Sequence, residues 1–429
     1  MKRLLSIVFV FSVTSPSAQS QETAASSLPP APLTALRLGE EEAVVRALAN
    51  NPTLRAFRRQ RAVAEGEIVS ATALANPALA LEALHLQSES QLGWGATLKW
   101  VPPQPVEWAA RRSQSRSHLD EIRYEIAEQE WLLTTQVRTT YATLVELGAQ
   151  ERLLESALAL RRRIVALVER QVQRGQATRL ELNLAEQSVL HAQHDLDELE
   201  LRRTKAQASF HSQLGLLSAE PVTLREEAPA QIGLATLPEP AALAERAVAM
   251  RPTIKAAYAR ILQRDQAVRI EKSRRFPWLS LSGRYRYNNY NASALRHDVV
   301  LGVELSLPMF HLQPGPLLVA QAQREQEQAV VDAQVQALLQ SIYAACNELK
   351  VRAKILHRYQ QGVLPMLAEH ERLMRLALDG GQIDLLALLS SEESVLRGQR
   401  EHSEARLFYR QVLLNLEAAV GFPLQRVGP

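Results

Sequence analysis

The chain has 429 residues and a formal net charge of +3, two units of which come from Lys2 and Arg3, so no charge argument for nucleic acid survives. Aromatic residues make up 5% of it and Cys346 is its single cysteine. A large globular core would bury more aromatics and one thiol cannot make an intrachain disulfide, which leaves helices packed through Leu, Val and Ala as the simplest reading.

Lys2-Arg3, the apolar run Leu4–Val13 and Ala18-Gln19-Ser20 read as a secretory signal over residues 1–20. No cysteine follows it directly, so a lipoprotein anchor is not expected. Residues 21–37, rich in Pro, Ser and Ala, read as a flexible leader. A first repeat then spans 38–217. Its opening helix, to about Leu74, is interrupted at Pro52. The apolar period next changes to two: Leu92, Trp94, Ala96, Leu98 and Trp100 alternate with Gln91, Gly93, Gly95, Thr97 and Lys99. This predicts a strand paired with Pro77–Leu86, a β-hairpin over 77–101 closed by Pro102, Pro103 and Pro105.

Glu107–Leu217 contains no proline, and its apolar residues recur at spacings of three and four. Leu182, Ala185, Val189, Ala192, Leu196 and Leu199 form the seam of a coiled coil. The one reversal is Arg174-Gly175-Gln176-Ala177-Thr178, where glycine stops one helix and Thr178 caps the next. The incoming helix would reach roughly 100 Å.

Residues 218–240 are a proline-rich connector, read as a belt around the rods. A second repeat, 241–421, copies the first. Arg46-Ala47-Leu48-Ala49-Asn50-Asn51-Pro52 aligns with Arg246-Ala247-Val248-Ala249-Met250-Arg251-Pro252, and Asn76-Pro77 with Phe276-Pro277. Its hairpin, 277–309, alternates Leu279, Leu281, Tyr285 and Tyr287 with Ser280, Ser282, Arg284 and Arg286. Val299, Leu301, Val303, Leu305 and Leu307 then alternate with Gly302, Glu304 and Ser306, after a polar loop from Asn288 to Arg296. Pro365 should kink or break the following helix. Gly380-Gly381-Gln382-Ile383-Asp384-Leu385 repeats the glycine turn, a last helix runs to about Ala419, and 422–429 is a tail.

The strands are about ten residues long, enough for a tilted strand to cross a bilayer, whereas no helical run reaches the roughly 18 apolar residues a membrane helix needs. Four strands cannot close a barrel in lipid, so further copies must supply the rest; three would give twelve.

This order, helix, hairpin, long helix, glycine turn, long helix, twice over behind a signal, resembles the TolC-type outer-membrane efflux family across nearly the whole mature chain. The segments that carry the resemblance best are Gly175–Leu182, Gly381–Leu389 and Leu305-Ser306-Leu307-Pro308-Met309-Phe310. Asn76-Pro77-Ala78-Leu79 and Val363-Leu364-Pro365 lean towards members that serve heavy-metal RND pumps. The resemblance implies a mainly α homotrimer in which each chain gives four strands to a twelve-stranded barrel in outer-membrane lipid and long helices to a periplasmic tunnel. It also implies an adaptor protein docking at a periplasmic tip (Arg174, Gly175, Gln176, Ala177, Thr178, Arg179, Leu180, Glu181, Gly380, Gly381, Gln382, Ile383, Asp384, Leu385), an inner-membrane pump of RND type, and no cofactor. The sequence departs from relatives that narrow the entrance with aspartates, since Ala387 and Ser390 stand at those places. Ile383 stands where a basic partner for Glu181 is expected, and Phe310 is followed by His311-Leu312-Gln313-Pro314-Gly315.

On the strands, Lys99, Arg284, Arg286 and Glu304 would face the lumen, either keeping it wet or tuning which ions pass. Trp94, Trp100, Tyr285 and Tyr287 would form an interfacial girdle or pack between copies. His191 and His194, spaced i, i+3, lack a third metal ligand nearby and read as a solvated face. Glu40-Glu41-Glu42 and Glu392-Glu393 read as surface charge, and Cys346 as a small buried residue. No catalytic constellation appears. The competing class is a secreted coiled-coil adhesin or scaffold, which accounts for the rods but not for the strands.

Overall fold

A computed structural model describes residues 36–86, 91–217, 222–225, 239–287, 297–307, 314–379 and 385–424. The first half runs β1 (Leu36–Leu38), α1 (Glu40–Asn50), α2 (Pro52–Thr72), β2 (Ala78–Leu86), β3 (Gln91–Trp100), α3 (Pro105–Gln173) and α4 (Arg179–Leu214). After β4 (Val222–Leu224) come α5 (Pro240–Met250), α6 (Pro252–Ser273), β5 (Trp278–Tyr287), β6 (His297–Ser306), α7 (Pro314–Arg358), α8 (Leu364–Asp379) and α9 (Leu385–Val420). Helix pair, β-hairpin and helical hairpin thus occur twice, in the order the internal repeat predicts.

Each repeat is pinned at the same point. Pro52 and Pro252 have no N–H to donate, so one helix ends before each and another starts on it. The residue before the proline then reaches the far end of its own repeat. Asn51 caps α2 by accepting from the Leu54 N–H at 2.9 Å, and its Nδ2 donates to the Gln213 carbonyl at 3.0 Å. Arg251 donates to the Ala419 carbonyl at 2.7 Å and to Glu128 Oε1 at 3.2 Å. α4 ends on Gly215, at φ +67°, and a Cβ there would stand 2.6 Å from the Asn50 carbonyl oxygen. Gly421, at φ +85°, follows α9 in the same way.

The two largest apolar cores lie around these pins. One joins Leu38, Val44, Leu54, Val137, Tyr141, Phe210 and Leu214; the other joins Leu243, Ile254, Ile342, Cys346, Leu349, Leu413 and Leu416. Cys346 is fully buried, as expected. On the seam, Ala185, Ala192 and Leu199 are buried where α4 lies along α3.

The repeats differ in their long helices. α3 is 69 residues without a break, about 100 Å at 1.5 Å per residue. Its counterpart is interrupted by a π turn, Tyr359–Val363, between α7 and α8. Pro365 supplies the cause expected from sequence, since it leaves the carbonyl of Gln361 without its helical donor.

Three expectations need correction. The leader does not extend to residue 37: Leu36–Leu38 pairs in parallel with Val222–Leu224, and a three-residue strand is too short to show a period. The tail is packed at its start, where Leu424 joins the second core and its N–H donates to Glu417 Oε1 at 3.0 Å. The Glu40–Glu42 run is only partly surface charge. Glu40, half-buried, binds Arg410 at 2.7 Å, while Glu42, which accepts from the Gly39 N–H at 2.8 Å, and Glu41, bound to Arg138 at 2.6 Å, are exposed.

Candidate functional site

Chemistry-bearing residues gather at two places, a sheet at one end of the helices and the turns at the other. The sheet has the order β2-β3-β5-β6, antiparallel throughout, so the two β-hairpins lie side by side. Register fixes its faces, because side chains alternate along a strand. Leu79 pairs with Leu98, Leu81 with Ala96, Trp94 with Tyr287, Trp100 with Leu281, and Leu281 with Val303, all on one face. That face is bare: Leu81 is 75% exposed and Leu301 86%. The opposite face carries Glu82, Lys99, Arg284, Arg286, Asp298 and Glu304. Lys99 Nζ donates to Glu304 Oε2 at 2.8 Å, and Ser280 Oγ donates to the same oxygen at 3.1 Å. All four residues read as lumen-facing therefore share the polar face. Among the described residues, β2 and β6 have no outer partner.

The four aromatics divide between the two ends of the apolar face. Trp94 lies 5.2 Å from Tyr285 and 6.4 Å from Tyr287, ring centre to ring centre, and His297 joins them through a 2.7 Å hydrogen bond with the Tyr285 hydroxyl. Trp100, six residues along the strand or roughly 20 Å away, donates its indole N–H to the Ala75 carbonyl at 2.9 Å.

At the far end of α3 the chain reverses through Arg174–Thr178. Gly175 has φ +73°, and the N–H groups of Gly175 and Gln176 close back on Val172 and Gln171 at 3.0 and 2.8 Å. Thr178 and Glu181 form a capping box: the Glu181 N–H donates to Thr178 Oγ1 at 3.2 Å, and the Thr178 N–H donates to Glu181 Oε2 at 2.6 Å. The Thr178 backbone bond, then its hydroxyl, hold the Glu181 carboxyl below its usual range. Arg174, Gln176 and Arg179 are exposed and Leu180 is 68% exposed, while Ala177 is half-buried against the small apolar cluster that includes Val168 and Ala185. At the second turn, Gly380, Gly381, Gln382, Ile383 and Asp384 lie outside the described residues, and Leu385 begins α9.

Sequence reasoning missed the cluster just above the tip. Arg161, about 18 Å up α3 from its end, donates through Nε to Glu392 Oε2 at 2.9 Å, through Nη2 to Glu393 Oε2 at 2.9 Å and through Nη1 to the Ser188 carbonyl at 3.1 Å. It clamps the two helical hairpins together. Arg161 is 5% exposed and Glu392 4%, so Glu392 is not the surface charge its helix suggested. Burial pushes the Glu392 carboxyl above its usual range, and Arg161 opposes the rise. The signal was faint, one arginine and a Glu-Glu pair 231 residues apart. His191 and His194 are exposed on α4, and no group of metal ligands occurs among the described residues.

The sequence profile of the outer membrane efflux protein family matches residues 43–216 and 243–422, one repeat each. The chain belongs to that family. Among its relatives is the cobalt-zinc-cadmium resistance protein CzcC of Cupriavidus metallidurans, 29% identical over 189 residues. That match spans 43% of either chain, less than half of the relative's length. In structure, the MtrE outer membrane channel of Neisseria gonorrhoeae, in its open state, superposes at a TM-score of 0.71 and 18% identity over 97% of this chain and 99% of its own. The outer membrane protein VceC of Vibrio cholerae gives 0.73 and 17% over 90% and 96%. At such identities these likenesses establish the fold of an outer membrane efflux protein, in which no helix among the described residues is long and apolar enough to cross a membrane.

Proposed function

We propose that three copies of the chain close a twelve-stranded barrel in the outer membrane and pass solutes through it, from a periplasmic adaptor and an inner-membrane RND-type pump to the outside. One observation carries this reading: the four-stranded sheet is apolar across one face, polar across the other, and open at both edges. Lipid cannot satisfy the unpaired N–H and C=O groups of β2 and β6, so in a membrane these edges must pair, and identical copies are the partners at hand. The polar face then lines the lumen with Lys99, Arg284, Arg286 and Glu304, and Trp94, Tyr285 and Tyr287 sit at the distal interface with Trp100 at the proximal one.

In this reading the duct is passive and the inner-membrane pump supplies the energy. The exposed tip, Arg174–Glu181 with Gly380–Leu385, is the adaptor contact. CzcC is named for cobalt, zinc and cadmium resistance, which makes divalent metals the first cargo to consider here. Native mass spectrometry of the mature protein from the membrane fraction in mild detergent should give a trimer. A monomer, which cannot close the sheet, or a dimer, whose strands would close a barrel of about eight and not twelve, would overturn the reading, and recovery in the soluble fraction would favour a secreted scaffold instead.

A further inference from the structure

We propose that Arg284 makes the barrel section of the duct disfavour cations. The inference rests on the barrel reading above and concerns which charges on the polar face are cancelled by a neighbour.

Six charged side chains occupy that face among the described residues, and register sorts them into levels. At the helical end Lys99 and Glu304 neutralise each other at 2.8 Å. Towards the distal end Arg286 stands directly opposite Asp298 on β6, with Glu82 in the same row beyond Gly95. Arg284 lies between these levels. Its opposite neighbours are Thr97 on β3 and Val300 on β6, neither of which carries charge, and its side chain is exposed. Directly opposite side chains stand about 5 Å apart and diagonal ones 7–8 Å, so Asp298 screens Arg284 less than it screens Arg286.

Repeated by three-fold symmetry, Arg284 gives three positive charges part-way along the lumen, where low-dielectric walls focus their field. The acidic excess of the Glu82, Arg286 and Asp298 row lies two residues, roughly 7 Å, further along the strand, so the two rings act in series and Arg284 sets the barrier at its own level. A cation crossing the barrel therefore meets repulsion from Arg284 that an anion does not, and a divalent-metal cargo passes that level only because the pump drives it.

The test is the reversal potential of full-length trimer inserted in planar bilayers under a potassium chloride gradient, with wild type, Arg284→Gln and the double variant Lys99→Gln/Glu304→Gln. Arg284→Gln should raise the potassium-to-chloride permeability ratio at least about twofold near 0.01 M salt, where the Debye length is about 30 Å, and leave it unchanged near 1 M, where it is about 3 Å. The double variant removes a pair of zero net charge and should leave the ratio at the wild-type value. An unchanged ratio in Arg284→Gln, or a larger shift in the double variant, would overturn the proposal while leaving the duct intact. A trimer that inserts but shows no conductance would count against the duct, and with it against this inference.

Discussion

Buried charge is what residue-level reading of the sequence least anticipates here. Arg161 and Glu392 lie on elements far apart in the chain, and either alone looks like ordinary helix-surface charge, whereas the Gly175 turn and its Thr178 cap follow local backbone rules and were readable as written. The pairing has a cost that mutation exposes. Arg161→Met should lower unfolding stability by about 3–5 kcal/mol, because it strands Glu392 in the interior, and Arg161→Met/Glu392→Met should recover most of it. The pH sign follows from the raised Glu392 carboxyl. The folded state keeps a proton that the unfolded chain has released, so this group adds stability at low pH and loses it as pH rises through its folded value. Glu392→Gln should therefore flatten the fall in thermal midpoint as pH rises above the ordinary carboxylate range; an unaltered slope would assign that fall to Glu417, which burial also raises.

Helices, strands and their order were largely legible, because each element has a period and each break a proline or glycine. Boundaries fell within a few residues for α3 and for all four long strands. What escaped was either short, as β1 and β4, or long-range, as the grip of Asn51 and Arg251 on the ends of α4 and α9. Gly215 escaped too, although a glycine closing a long apolar-periodic helix was there to be seen. Its contrast with Gly175 is a test at this scale. Both hold positive φ, which costs an L-residue roughly 1–2 kcal/mol. A Cβ at Gly175 meets nothing within 4 Å, while at Gly215 it meets the Asn50 carbonyl oxygen at 2.6 Å. Gly215→Ala should thus depress the unfolding midpoint clearly more than Gly175→Ala. Gly175→Val should instead spare the membrane-inserted trimer and abolish export, if the tip is the adaptor contact; normal export would withdraw that assignment.

For the whole molecule, the twofold repeat and the ten-residue amphipathic strands made a membrane assembly readable, but a single chain cannot state its own copy number. The faces of the sheet carry that information indirectly, and they can be challenged separately. Leu301→Arg puts a charge on the apolar face near mid-strand, where lipid would impose about 2–4 kcal/mol, so the yield of membrane-inserted trimer should drop sharply. Ser282→Arg, on the polar face, should be tolerated. Equal yields from the two variants would mean that the apolar face does not meet lipid, and an aqueous scaffold would regain its case.

The π turn before Pro365 bears on counting. Because α3 runs unbroken while its counterpart is interrupted between α7 and α8, the two hairpins of one chain are not interchangeable. A homotrimer would present six hairpin ends around its axis, yet only three of each kind, in strict alternation. An adaptor that recognises a single kind would saturate at three per trimer. One that binds six must fit two dissimilar seats with one surface, so its affinities should fall into two classes, and the stoichiometry of a titration would record how far the duplicated halves have diverged.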